Sequence, residues 1–167
     1  MGIGDRQGAS MRVGIGSDVH RLMPGSGMRL GGVDIPCSHA CVAVSDGDVV
    51  VHALVDAVLG ACGLGDIGEY FSESNVSPGQ DSQGFLEKAI AMLSERGGAL
   101  INVDCIIDVD VVRLSGWKRA IRENLSRILG LEESRVNVKA KTAEGLGAVG
   151  EGRAVAAQAV VLIELSK

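Results

Sequence analysis

The chain has 167 residues, 46% of them apolar and only 2% aromatic, with 24 glycines and a formal net charge of −5. That length supports one hydrophobic core and not two, and an acidic balance without a polybasic run argues against charge-driven binding to nucleic acid or to an anionic membrane. No apolar run reaches the ~18 residues that a membrane span needs, and residues 1–10 lack the charged-then-apolar order of a signal peptide, so a cytoplasmic location is expected, with no transit peptide evident.

Residues 1–10 are Gly-rich and polar and read as a flexible N-terminal extension, with one domain over 11–167. "MRVGIGS" predicts a strand, "MRLGGVDIP" a hairpin turning on Gly31-Gly32, and "CVAVS" a short extended run. "SDGDVVVHALVDAVLGACGLG" predicts a buried helix with Ser45 or Asp46 as N-cap and Gly60 or Gly63 as its stop. A second helix follows in "DSQGFLEKAIAMLSERGG", capped by Asp81 or Ser82, with Leu86, Ile90 and Leu93 on one face. "ALINVDCIIDVDVV" alternates as a strand, "GWKRAIRENLSRILG" is a helix ending at Gly130, and "RVNVKAK" and "VAAQAVVLIEL" are two last strands. This order predicts an α+β single domain with a mixed sheet and helices packed on one face.

"GIGSDVHRL" sets the chemical question. Residues two apart on a strand point the same way, so Asp18 and His20 converge. A carboxylate beside a neutral imidazole is half of a divalent-metal site; a strand-end Asp bonded to backbone beside a surface His is the other reading. His52, near the start of an apolar helix, is a polar group in need of a buried partner. With Asp18 and His20 it would give three protein ligands and an open fourth position, the pattern of a catalytic zinc. Asp56, one turn on, could orient the His52 ring as a supporting carboxylate. Cys37, His39 and Cys41 form another cluster of ligand types, without a second pair to complete a tetrahedral set. "GLGAVG" fits a dinucleotide-binding glycine pattern but has no room after it for the βαβ unit such a site requires.

The stretches "RVGIGSDVHRL", "LGGVDIP", "SDGDVVVHALVDAVLGACGLGDIGEYF", "VNVKAKTAEGLG" and "GRAVAAQAVVLI" together resemble the 2-C-methyl-D-erythritol 2,4-cyclodiphosphate synthases of non-mevalonate isoprenoid biosynthesis, over nearly the whole chain from Met11. The resemblance implies a lyase-type cyclisation of a cytidine-diphosphate substrate with release of CMP. It implies Zn2+ on Asp18, His20 and His52, and Mg2+ or Mn2+ on Glu144. It also places Ser45, Asp66, Ile67 and Gly68 against the erythritol and its phosphate, and Ala140, Lys141 and Thr142 in the cytidine-diphosphate pocket, with the Thr142 hydroxyl as the catalytic donor. A homotrimer with sites shared between subunits is implied as well.

The sequence departs from that pattern at named places. Val44 stands where the family usually has histidine before "SDGD", leaving His39 as the one imidazole that could substitute. Val112-Arg113 replaces a proline-lysine pair, keeping the charge but not lysine's geometry, and Arg113 is read as substrate-binding. Ala148 and Glu151 replace an aromatic and an arginine expected toward the trimer axis. These departures keep open a non-catalytic scaffold that binds zinc or a cytidine nucleotide; a zinc deaminase is the weaker alternative, since the P-C-x-x-C pair is missing.

Overall fold

In the computed structural model, which describes residues 9–72 and 75–166, the elements follow in the order β1 (Ser10–Pro24), β2 (Met28–Leu30), β3 (Val33–Ile35), β4 (His39–Val42), α1 (Val49–Cys62), α2 (Ile67–Tyr70), α3 (Gln83–Glu95), β5 (Gly98–Asp108), α4 (Lys118–Leu129), β6 (Val136–Lys141), α5 (Gly147–Gly150) and β7 (Ala154–Leu165). Five strands form one sheet in the order β4-β1-β7-β5-β6, in which only β5 and β6 are parallel, and β2 with β3 makes a separate hairpin. Both the mixed sheet and the α+β class match the sequence reading. Among the described residues no helix is long and apolar enough to cross a membrane.

Alternation decides which face of the sheet is covered. Val103, Cys105 and Ile107 of β5 and Val155, Ala157, Ala159, Val161 and Ile163 of β7 are buried beneath the helices. On β1 the same face carries Gly14, Gly16 and Leu22, while Val13, Ile15 and Val19 on the other face are 62–70% exposed. The two β1 glycines answer to α1. A Cβ at Gly14 would lie 1.9 Å from the Ala57 carbonyl oxygen, and one at Gly16 would lie 2.0 Å from that of Ala53. Only glycine lets helix and strand approach this closely.

α1 starts at Asp48, not at Ser45 or Asp46 as the sequence suggested. Asp48 is fully buried, and its carboxylate accepts from Val50 N and Val51 N of its own helix and from Gly31 N and Gly32 N of the hairpin turn. The cap therefore ties the hairpin to α1, which local pattern cannot reveal, and Gly63 closes the helix in the left-handed conformation. Burial raises the Asp48 pKa, against the backbone bonds that favour its charged form. Other boundaries moved for want or presence of a partner. β1 runs past its expected end because β4 pairs with residues 21–24. β5 stops at Asp108, short of residue 112, where both its β6 and β7 pairings end. Of the expected extension, residues 1–8 lie outside the described residues, and Ser10 is already paired with Leu165.

Candidate metal centre and cytidine pocket

Asp18 and His20 project from the helix-facing side of β1, and His52 descends from the first turn of α1, brought into range by the contact at Gly16. Asp18 Oδ2 lies 2.9 Å from His52 Nδ1 and 3.2 Å from His20 Nε2, and the two ring nitrogens are 3.1 Å apart. A tetrahedral ion with ligand bonds of about 2.0–2.2 Å has edges of about 3.3–3.6 Å, so this triangle closes around such an ion with a few tenths of an ångström of expansion. One carboxylate and two imidazoles form a donor set suited to a borderline metal such as zinc, and among the described residues they are the cluster of metal-ligating side chains with atoms within 4.8 Å of one another.

The electrostatics favour a cation there. Burial lowers the His20 pKa and outweighs the pull of Asp18, so the ring is neutral with a lone pair at neutral pH. Burial pushes Asp18 up, but the His52 contact and the fields of His20 and His52 outweigh it and hold the carboxyl below its ordinary value.

Behind the triangle, His52 Nε2 lies 2.8 Å from Ser82 Oγ and 3.3 Å from Ser45 Oγ. Ser82 Oγ donates to Asp46, whose carboxylate also accepts from Ser82 N at 3.1 Å and faces Arg29 Nε at 3.5 Å. The Phe85 ring stacks on His52 at 6.1 Å between centroids and 27° between planes, and Phe71 stacks on Phe85 in turn. Asp56 does not have the role the sequence suggested. Its carboxylate accepts from Ile67 N at 2.8 Å and anchors α2, and the far nitrogen of His52 is met by Ser82 and Ser45. Spacing on one helix pointed to Asp56; Ser82 comes from another helix and carries no periodic signal.

A pocket of about 270 Å³ opens over the triangle, lined by His20, His52, Ser45, Ile67 and, among its apolar walls, Val44. Asp66 caps α2 through Gly68 N at 2.9 Å, so the Asp66, Ile67 and Gly68 backbone is held beside this pocket. His39 does not line the pocket that Val44 lines: it sits opposite Pro24 in β4, with Nδ1 3.0 Å from Ser38 Oγ. In the cysteine cluster burial pushes the Cys41 thiol up to about 12, and Cys37 Sγ donates to the His39 carbonyl at 3.2 Å.

At the other edge of the sheet a cavity of about 490 Å³ gathers Arg113, Ala140, Lys141, Thr142 and Glu144. Lys118 and Asp110 also line it and were not singled out from the sequence; Asp110 fixes the loop by accepting from Ala143 N at 2.8 Å. Thr142 Oγ1 donates to Glu144, which is the one described residue other than glycine with a positive φ, 51°. "GLGAVG" leads only into the single turn of α5 and then β7, so it forms no dinucleotide cradle.

A model of the YgbB family matches residues 11–164. The chain is 46% identical over 153 residues to the chloroplastic 2-C-methyl-D-erythritol 2,4-cyclodiphosphate synthase of Oryza sativa subsp. japonica, covering 91% of this chain and 69% of that protein. Among solved structures, a 2C-methyl-D-erythritol-2,4-cyclodiphosphate synthase in its CDP-bound form superposes with a TM-score of 0.85 at 38% identity, covering 91% of this chain and 99% of that one. The bifunctional IspDF of Campylobacter jejuni gives 0.88 at 36% identity over 94% of this chain, which spans 43% of that larger protein.

Proposed function

The chain belongs to the YgbB family, and from that membership we propose that its two pockets together convert 4-diphosphocytidyl-2-C-methyl-D-erythritol 2-phosphate into 2-C-methyl-D-erythritol 2,4-cyclodiphosphate and CMP, a phosphorus-oxygen lyase step in isoprenoid precursor synthesis. The carrying observation is the Asp18, His20 and His52 triangle, with its 2.9–3.2 Å edges, beneath an open pocket.

Both reacting groups are anions, so the barrier is mainly charge repulsion and geometry. An oxygen of the substrate's 2-phosphate attacks the β-phosphorus of its cytidine-diphosphate arm, the bond from that phosphorus to the bridging oxygen breaks, and CMP departs with the electron pair. When bound, zinc on Asp18, His20 and His52 and magnesium or manganese on Glu144 supply positive charge and orientation to the phosphate oxygens. Ser45 and the backbone at Asp66, Ile67 and Gly68 hold the erythritol arm above the triangle. Lys141 and Arg113 bring fixed charge to the diphosphate, the Ala140 backbone faces the base, and the Thr142 hydroxyl donates to developing charge. Bending the substrate into a ring turns a flexible encounter into near-attack geometry, worth roughly 7–11 kcal/mol in well-oriented cases.

The assembly in this reading is a homotrimer with each site shared between subunits. Its support is the uncovered apolar face of β1 and β7, with Val13 66%, Ile15 70% and Val160 41% exposed in the single chain. The compartment is the cytoplasm of a bacterial cell.

Val44 brings no donor to the metal pocket, and losing one transition-state hydrogen bond costs about 2.7–4 kcal/mol; the expected outcome is turnover, slowed by up to that amount. The test is CMP release and cyclic diphosphate formation by zinc-loaded protein with added magnesium or manganese. Substrate bound without CMP above a Glu144→Ala control leaves a nucleotide-binding scaffold in place of the enzyme.

A further inference from the structure

We propose that Ser82, backed by Asp46, is a positioning residue that fixes the tautomer of His52 and so turns the Nδ1 lone pair toward Asp18 and His20. This rests on reading the triangle as a metal centre.

Hydrogen-bond polarity carries the argument. A carboxylate only accepts, and that of Asp46 accepts from Ser82 Oγ, Ser82 N and Asp48 N, the last at 3.2 Å, with the positive charge of Arg29 3.5 Å away. A serine hydroxyl has one proton. Given to Asp46, it leaves only lone pairs on Ser82 Oγ to face His52 Nε2 at 2.8 Å. The proton in that contact must therefore sit on Nε2; Nδ1 is then an acceptor 2.9 Å from the acceptor Asp18 Oδ2, a pairing that only a cation between them satisfies. Reversing the Ser82 bond would set its oxygen against the Asp46 carboxylate, two acceptors with no cation to join them.

Ser82 also gives up the ordinary role of its position. It is the N-cap of α3 and fully buried, yet its side chain makes no capping bond. Its hydroxyl is committed to Asp46 and His52 instead. Three residues on, Phe85 stacks on the same imidazole, so the first turn of α3 sets both the plane of the ring and which nitrogen faces the ligands. Partners of this kind govern metal affinity because they decide whether a ligand is presented with its lone pair in place.

The experiment measures zinc affinity by chelator competition in the whole protein, alongside long-range proton–nitrogen spectra of the zinc-loaded wild type. Ser82→Ala should raise the zinc dissociation constant about tenfold to a hundredfold, with Ser82→Thr restoring most of it and the metal-free variants melting close to wild type. The spectra should show the His52 proton on Nε2. The proposal is overturned if Ser82→Ala, folded, holds zinc within about twofold of wild type, or if the proton lies on Nδ1; the second readout needs no variant to fold. A wild-type chain that takes up no zinc, with or without His52→Ala, removes the metal centre itself and this proposal with it.

Discussion

A methyl group placed on Gly16 has nowhere to go. It would press on the Ala53 carbonyl, so Gly16→Ala should force α1 off β1, cost about 1–3 kcal/mol or more in urea unfolding and weaken zinc binding by pulling His52 from Asp18. Gly60→Ala is the control: on the same helix its nearest neighbour is Ile15 O at 3.8 Å, and the change should gain about 0.5–1 kcal/mol. Equal effects at the two sites would refute the close-packing account. Glu144 poses the opposite case, a side chain kept in a left-handed conformation that costs about 1–2 kcal/mol. Glu144→Gly should leave stability unchanged or raised while abolishing turnover dependent on the second metal; a marked loss of stability would show that the strain is not there. His20 yields a pH prediction. Burial lowers its pKa in the folded chain, so below about pH 6.5 the unfolded chain takes up a proton that the folded chain resists, and stability falls with falling pH. Urea midpoints of metal-free protein from pH 8 to 5 should decline; a rise on acidification would contradict the assignment.

Within single elements, the sequence was legible where the controlling contact is local. The Gly31-Gly32 hairpin, the buried alternation of Val103, Cys105 and Ile107, and the Gly130 stop of α4 came from neighbours in the chain and are present. The start of α1 did not, because Asp48 is chosen by Gly31 N and Gly32 N across 16 to 17 residues. Asp48→Ala strands those two N–H groups and removes the cap, and should cost at least about 2 kcal/mol in chemical unfolding; a loss below half that would mean water replaces the carboxylate. The candidate site divides the same way. Asp18 and His20 share a strand face and could be read from spacing, whereas Ser82 reaches His52 across 30 residues and Asp46 across 36, at contacts that no helix or strand period encodes. Asp56 was the plausible local partner, and α2 had taken it.

For the molecule as a whole, the feature that one chain leaves unexplained is its uncovered sheet face. Ile15→Lys places a charge there without touching the helix-facing core, so the variant should stay folded but run as a smaller species than wild type in light scattering coupled to size exclusion. An unchanged mass would move the association surface elsewhere. If sites are shared between subunits, mixing inactive His20→Ala and Glu144→Ala chains after dissociation should restore part of the activity, because some sites then receive both intact halves. No recovery in verified mixed assemblies would mean that each chain completes its own site.

The alternation along β1 has a further result for how this protein can vary. Even-numbered positions, Gly14 to Leu22, serve the interior and the metal ligands, and odd-numbered ones, Val13 to Met23, face away, so chemistry and association are interleaved on one strand like two messages in alternate letters. Substitutions can revise either message separately. A deletion of one residue between Gly16 and Asp18 cannot: it inverts the parity of one part of the strand against the other, presenting an apolar side chain to the metal pocket or a histidine to the outer face. Lineages of this chain are therefore free to drift in their contacts while the length of β1 across these positions stays fixed.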